Sequence, residues 1–219
     1  MKKLIALLLA LVMVMALVAC GAKNETPAED NNANVEQTPN GDEQTSNGDE
    51  QTSNGDENTD AVVSGSALEI LETIWGKYTD DEKFPTMGGD MNNIVDGAPG
   101  AYSLEDVETL GVQLLVPAEE VGNITEAASL FHGMMLNNFS CGVFKVAEGV
   151  DAAAFAETMH NAVSSARWMC GMPEKELIAV IGGEYVLMVF GINDAVNPFE
   201  AKLTEAYPDA TIAYSQAIG

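Results

Sequence analysis

Positive charge is what this chain has least of. Nine Lys and Arg stand against 34 Asp and Glu, for a formal net charge of −25. A chain this acidic repels nucleic acid, anionic lipid heads and anionic wall polymers, and a nucleic-acid partner is excluded. Histidine is nearly absent, at two residues, and cysteine is held to three. The short motifs of common enzyme chemistry are missing too: no Gly-x-Ser-x-Gly elbow, Ser-x-x-Lys, His-Glu-x-x-His or phosphate-binding loop occurs. Carboxylates abound, but abundance is not a catalytic pair, and no cofactor is implied.

Long apolar runs are also scarce, and the one present opens the chain. Lys2 and Lys3 precede an unbroken apolar stretch from Leu4 to Val18, which closes on Leu17-Val18-Ala19-Cys20. This is the layout of a secretory signal ending in a lipobox. It predicts a signal peptide over residues 1–19, cleavage before Cys20, and lipid on Cys20. The alternative, an uncleaved membrane anchor, is disfavoured because a span needs about 20 apolar residues. The expected address is the outer face of the cytoplasmic membrane, with two or three acyl chains on one cysteine for stable anchoring.

Residues 20–65 form a second, distinct object. Gly41-Asp-Glu-Gln-Thr-Ser-Asn47 recurs at 48–54, and a third copy begins at Gly55. Seven polar residues with no apolar position bury nothing, so the repeat reads as a disordered acidic tether and not as a solenoid. As a flexible coil it spans roughly 35–40 Å. The remainder, 66–219, is long enough for one domain with a proper core. It carries 23 acidic and 6 basic side chains, a formal charge of −17.

Within that domain Ser66-Ala-Leu-Glu69 is a capping box, and Leu68, Leu71, Ile74, Trp75 and Tyr78 follow at helical spacing, predicting a first helix over 66–79. Asp80 to Ser103 reads as a long loop rich in Gly and Asp. Leu104 to Val121 is ambiguous between a helix and a strand at 112–116. Two alternating runs, 129–136 and 139–146, flank Asn137-Asn138, which suits a two-residue hairpin turn. Asp151 caps a helix bearing Phe155, Met159 and Val163. Runs 176–181 and 184–190 flank Gly182-Gly183, a second hairpin signal. Asn197-Pro198-Phe199-Glu200 predicts a helix with Pro at its first position, stopped by Pro208, and 210–217 reads as a last strand. The expected fold is α+β: an antiparallel sheet built from two ββα hairpin-helix units with helices packed on it, plus an N-terminal helix. The second hairpin is apolar on both faces, with Leu177, Ala179, Ile181, Val186, Met188 and Phe190 expected on one. It is either central and covered twice, or an interface.

Candidate chemistry is thin. Cys141 and Cys170 outside the membrane invite a disulfide, with buried inert thiols as the alternative. A two-residue hairpin turn would set His132, Met134, Cys141 and Val143 on one face. His132, Cys141, His160 and Cys170 would then suit Cu(I) or zinc, against the plainer reading of structural histidines and core-filling methionines. Cys141 with His132 is the one nucleophile-and-base option, a cysteine-dependent hydrolase. Asp90, Asn92 and Asp96 offer oxygen ligands without the alternation, glycine and final glutamate of an EF-hand loop. The 80–103 segment mixes Asp80, Asp90 and Asp96 with Phe84, Met87, Met91 and Tyr102. That mixture suits a cationic, partly apolar partner such as a basic peptide or protein, or else simply covers the sheet.

The lipobox, the acidic tether, and the segments Asn138-Phe139-Ser140-Cys141-Gly142, Trp168-Met169-Cys170-Gly171 and Gly183-Glu184-Tyr185-Val186 together resemble uncharacterised, domain-of-unknown-function lipoproteins of clostridial Firmicutes, some labelled bacteriocin transport accessory proteins. The resemblance implies an envelope address and a Gram-positive source, and transfers no catalytic or binding residue. The expected role is a non-enzymatic accessory or binding lipoprotein, with metal handling and cysteine hydrolysis as alternatives.

Overall fold

The computed structural model describes residues 65–219. The signal segment, Cys20 and the repeat-bearing tether lie outside the described residues. No helix among the described residues is long and apolar enough to cross a membrane.

The capping box forms as expected. Ser66 Oγ accepts the Glu69 N–H at 3.2 Å, and Glu69 Oε2 accepts the Ser66 N–H at 2.7 Å. It opens α1 (Ala67–Trp75). The 80–103 segment is not structureless. It holds three short strands, β1 (Thr86–Gly88), β2 (Val95–Asp96) and β3 (Gly100–Tyr102). The ambiguous stretch resolves to α2 (Val107–Leu114) and a 3-10 turn at Ala118–Asn123; no strand forms at 112–116. Then follow β4 (Ile124–His132), β5 (Phe139–Val146), α3 (Ala152–Ser165), β6 (Lys175–Ile181), β7 (Tyr185–Gly191), α4 (Asn193–Ala206) and β8 (Thr211–Ala217).

All eight strands join one antiparallel sheet, seven in the order β2-β1-β4-β5-β7-β6-β8 and β3 paired with β4 off that path. β1 and β3 share the outer edge of β4 end to end: Thr86–Gly88 pairs with residues 130–132, and Gly100–Tyr102 with 127–129. Where they meet, the backbones of Gly88 and Gly100 pass so closely that no Cβ fits at either position. The long segment is therefore an edge cover built by strand pairing, which satisfies backbone groups an open β4 edge would leave exposed.

Helices cover both faces. α1 and α4 bury Leu71, Ile74, Phe199 and Leu203 against Leu130, Cys141, Leu177 and Leu187. α2 and α3 bury Leu110, Leu114, Phe155 and Met159 against Phe131, Phe144, Ile178 and Met188. The two ββα units thus put their helices on opposite faces. The crossover β5–α3–β6 passes over β7, and β7–α4–β8 passes over β6. Both step the same way across the sheet but start from antiparallel strands. Two connections of the same hand must then run on opposite faces. The repeat is one of element order, not of packing.

Three local expectations are corrected. The first hairpin does not turn at Asn137-Asn138. Phe131 pairs with Ser140 and Ala128 with Val143, four residues away from the register of a two-residue turn. Residues 133–138 form a longer loop closed by a 3-10 turn, Leu136–Asn138. Neither asparagine takes the positive φ a primed turn needs. In the second hairpin Gly182 and Gly183 do have φ of 58° and 71°, but Ile181 pairs with Tyr185, so three residues make the turn. A one-residue difference flips the strand. Tyr185, Leu187 and Val189 join Leu177, Ala179 and Ile181, while Val186, Met188 and Phe190 join Ile178 and Val180. The hairpin is central and covered twice; it is no interface.

Finally, α4 starts at Asn193, not at Pro198, which lies inside it. The N–H that Pro198 lacks would have met the carbonyl of Asp194, an exposed residue of the first turn. The helix start is capped from a distance, the Asn193 N–H donating to Glu174 Oε2 at 2.9 Å.

Candidate functional site: an apolar cleft on the face of α2 and α3

The residues singled out for metal binding are not brought together. His132 and Cys141 do lie on one face, because a four-residue register shift preserves side-chain parity. There, however, Cys141 is fully buried among Leu130, Val143 and Leu187, and burial pushes its thiol well above the ordinary value. His132 stacks on Phe84 with ring centroids 5.6 Å apart, and its Nδ1 accepts the Met134 N–H at 3.1 Å. His160 lies on α3, across the sheet. Its Nδ1 sits 2.8 Å from Glu176 Oε1 and its ring stacks on Tyr214 at 4.0 Å. Burial raises the Glu176 carboxyl, with His160 opposing the shift. Cys170 is exposed on the loop after α3, and both cysteines are free, so the disulfide does not form. Among the described residues no group of three or more His, Cys, Asp or Glu is placed to hold a metal ion. A thiol this buried has no access to substrate and little thiolate, so a Cys141–His132 hydrolase has no geometric basis.

The 80–103 residues have structural employment. Phe84 packs edge-on to Trp75 and Phe139, at 5.4 and 5.2 Å between centroids. Met87 lies against the α2/α3 core. Tyr102 is buried and donates its hydroxyl to Gln113 Oε1 at 2.7 Å; burial, then Asp90 and Asp106, pushes its pKa up to about 12. Asp80 pairs with Lys83, and Asp96 stands exposed in β2 opposite Met87.

Asp90 is the organiser of the segment. Its carboxylate accepts from the backbone N–H groups of Asn92, Asn93 and Ser103 at 2.7 to 3.2 Å, and from the Asn93 side chain. Burial alone would raise its pKa, but these bonds outweigh it and hold the carboxyl below its usual value. Donors converging on a carboxylate are the reverse of a calcium site. The large apolar side chains the segment leaves exposed are Met91, Ile94 and Val95.

A larger opening lies elsewhere. A cleft of about 610 Å³ runs between the end of α2 and the segment after α3, lined by residues 111–113, 115–117, 136–137, 165–170, Ala162 and Phe190. Its volume falls within the range of small-molecule sites. Trp168 forms one wall, tilted on Phe190 with centroids 4.9 Å apart. Of the cleft lining, Val112, Leu136 and Met169 are exposed, and the loops that carry Leu136 and Met169 also expose Met134, Met135 and Met172. Asn137, freed from turning the hairpin, ties the two methionine-bearing loops together. Its Nδ2 donates to the carbonyls of Met169 and Gly171 at 2.8 and 2.6 Å.

Two residues of this cleft carry backbone strain. Leu115 at the end of α2 (φ 54°) and Cys170 (φ 63°) are the only non-glycine residues with positive φ among those described. Left-handed geometry in such residues costs on the order of 1–2 kcal/mol each, and it persists only where the surroundings impose it.

The cleft also inverts the charge of its surroundings. No Asp or Glu lines it, and its one charged residue is Arg167, the only arginine in the chain. Each of the five lysines among the described residues has a carboxylate partner: Lys77–Glu205, Lys83–Asp80, Lys145–Glu126, Lys175–Glu200 and Lys202–Glu82. Arg167 has none among the described residues. Sequence reasoning passed this site over, although a signal was present. Met169 and Met172 sit in an Arg-Trp-Met-Cys-Gly-Met stretch with neither helical nor strand periodicity, where a core-filling role is least natural.

Compared with known proteins, the chain matches no family model, no curated protein and no solved structure.

Proposed function

We propose that this chain is a non-enzymatic binding lipoprotein of the cell envelope, anchored through Cys20, and that the Trp168 cleft is where it holds an apolar partner. The observation that carries the binding reading is the cleft itself: a wide apolar opening edged by exposed methionines on a domain whose surface is otherwise acidic. Monomeric domains seldom leave contiguous apolar surface exposed without a use for it, and methionine-rich surfaces adapt to varied apolar groups. The anchoring reading is supported by the lipobox sequence. Metal handling loses support because the sheet divides His160 from His132 and Cys141, and cysteine hydrolysis because Cys141 is fully buried.

Two measurements test the proposal. Intact mass of the protein in the membrane fraction should show lipid on Cys20, and Cys20→Ser should abolish both lipid and anchoring. The soluble chain from Gly21 to Gly219, which keeps everything after the lipid, should bind the neutral apolar dye Nile red. Trp168→Ala and Val112→Glu should each weaken that binding at least tenfold. Nile red binding that ignores both substitutions would remove the cleft from the proposal.

A further inference from the structure

We infer that the ligand of this cleft is a soluble single-chain amphiphile with one anionic head, an aliphatic carboxylate in chemical class, its head on Arg167 and its chain along Leu115, Trp168 and Phe190. The inference rests on reading the cleft as a binding site and adds what the occupant must be.

Charge carries the argument. With 23 carboxylates in the domain against six basic side chains, any cation should find a partner, and the five lysines do. Among the described residues Arg167 has no ion-pair partner, and the opening that it lines takes no carboxylate into its lining. A guanidinium presents a planar fork matched to a carboxylate, which is why Arg serves for anions where Lys serves as a point charge. A cationic ligand would find no counter-charge in the lining and would meet Arg167 at its mouth.

The surrounding charge also limits the anion. A domain at −17 repels polyanions over distances of about 8 Å at physiological ionic strength. A single negative charge in direct contact with Arg167 tolerates that field best, provided an apolar body supplies the affinity. The walls provide for such a body: Phe190 and Val116 are buried beneath the opening, and Trp168 is half-buried beside it. The strained Leu115 and Cys170 backbones and the Asn137 clasp hold the walls in place before a ligand arrives, which lowers the ordering cost of binding.

The test uses the soluble chain from Gly21 with Nile red already bound. Dodecanoate, dodecyltrimethylammonium and dodecyl maltoside are each added below their micellar concentrations as displacers. Dodecanoate should displace the dye at a concentration at least tenfold lower than either other head group. Arg167→Gln should erase that preference, and Arg167→Glu should reverse it towards the ammonium. Arg167 is exposed, so neither substitution endangers folding, and an unchanged melting temperature checks this. Displacement indifferent to head group, or a preference that survives Arg167→Gln, overturns the anionic-head inference and leaves the cleft reading standing. Dye that binds but is displaced by none of the three overturns the single-chain occupant. Failure of Nile red itself to bind overturns both.

Discussion

The two irregular segments of the domain, 80–103 and 165–174, use their residues in opposite ways. The first is full of residues that suggest chemistry: aspartates, glycines and aromatics. Nearly all are employed in building it. Asp90 spends its acceptors on the amides of its own loop, Phe84 fills the core edge, and Gly88 and Gly100 let two strands pass in contact. The second segment reads as nondescript, yet it leaves an opening, exposed methionines, a strained backbone and a guanidinium with no ion-pair partner among the described residues. A polar side chain proclaims a site only if its hydrogen bonds are not already committed. An apolar one does so when it stays exposed although burial was possible.

Four substitutions sharpen or break this contrast. The largest effect is expected at Gly100→Ala, whose Cβ would press into the backbone of Gly88 and Gly89. About 3 kcal/mol of stability should be lost, measured by urea denaturation, with Nile red affinity of the surviving folded protein unchanged. A cost near zero would mean that β1 and β3 are not held on β4 as described.

Asp90→Ala comes next, at about 2 kcal/mol, for the buried amides it strands. Its pH dependence has a definite sign. The folded-state pKa is lowered, so the Asp90 contribution is present above the unfolded value of about 3.9 and is lost as pH falls through the folded one. The stability gap between the parent and Asp90→Asn should therefore close below about pH 4. A gap that widens on acidification would contradict the hydrogen-bond account.

Cys170→Gly should do the reverse and stabilise the fold by about 1 kcal/mol, since glycine takes φ of 63° without strain. The same change loosens the loop, so dye affinity should fall as stability rises. If both rise together, the strain is incidental to the cleft.

Smallest of all is Arg167→Gln, expected to change stability by no more than about 0.5 kcal/mol, because the side chain is exposed and has no ion-pair partner among the described residues. A large loss would show that Arg167 has a structural role and would weaken the case for an anion there.

How far the fold could be read in advance depended on whether each signal was local. Ser66 and Glu69 make their cap within four residues, and Asp151 caps α3 through the N–H groups of Ala153 and Ala154; both were legible. The start of α4 was not, because its cap is Glu174, nineteen residues upstream. The second hairpin was recognised, but its register was not. Both faces of β6 and β7 are apolar, so a one-residue slip costs nothing in the hydrophobic pattern and only the turn geometry decides it. In the first hairpin Asn137 looked like a turn residue, and its role emerged only from contact with Met169 and Gly171 across the fold.

Sequence by itself determined the elements and the class of this domain. Helical and alternating periodicities, capping residues and glycine pairs are interactions between near neighbours, and their free energies are set before the chain is compact. It also determined the overall acidity of the chain. Tertiary structure alone decided which face each helix covers, that His160 is divided from His132 and Cys141 by the sheet, and that Arg167 is left beside an apolar opening. These depend on crossover handedness, on strand register, and on which side chains find partners far along the chain. Such long-range choices are made by the packing of the whole domain and leave no periodic trace in any one segment.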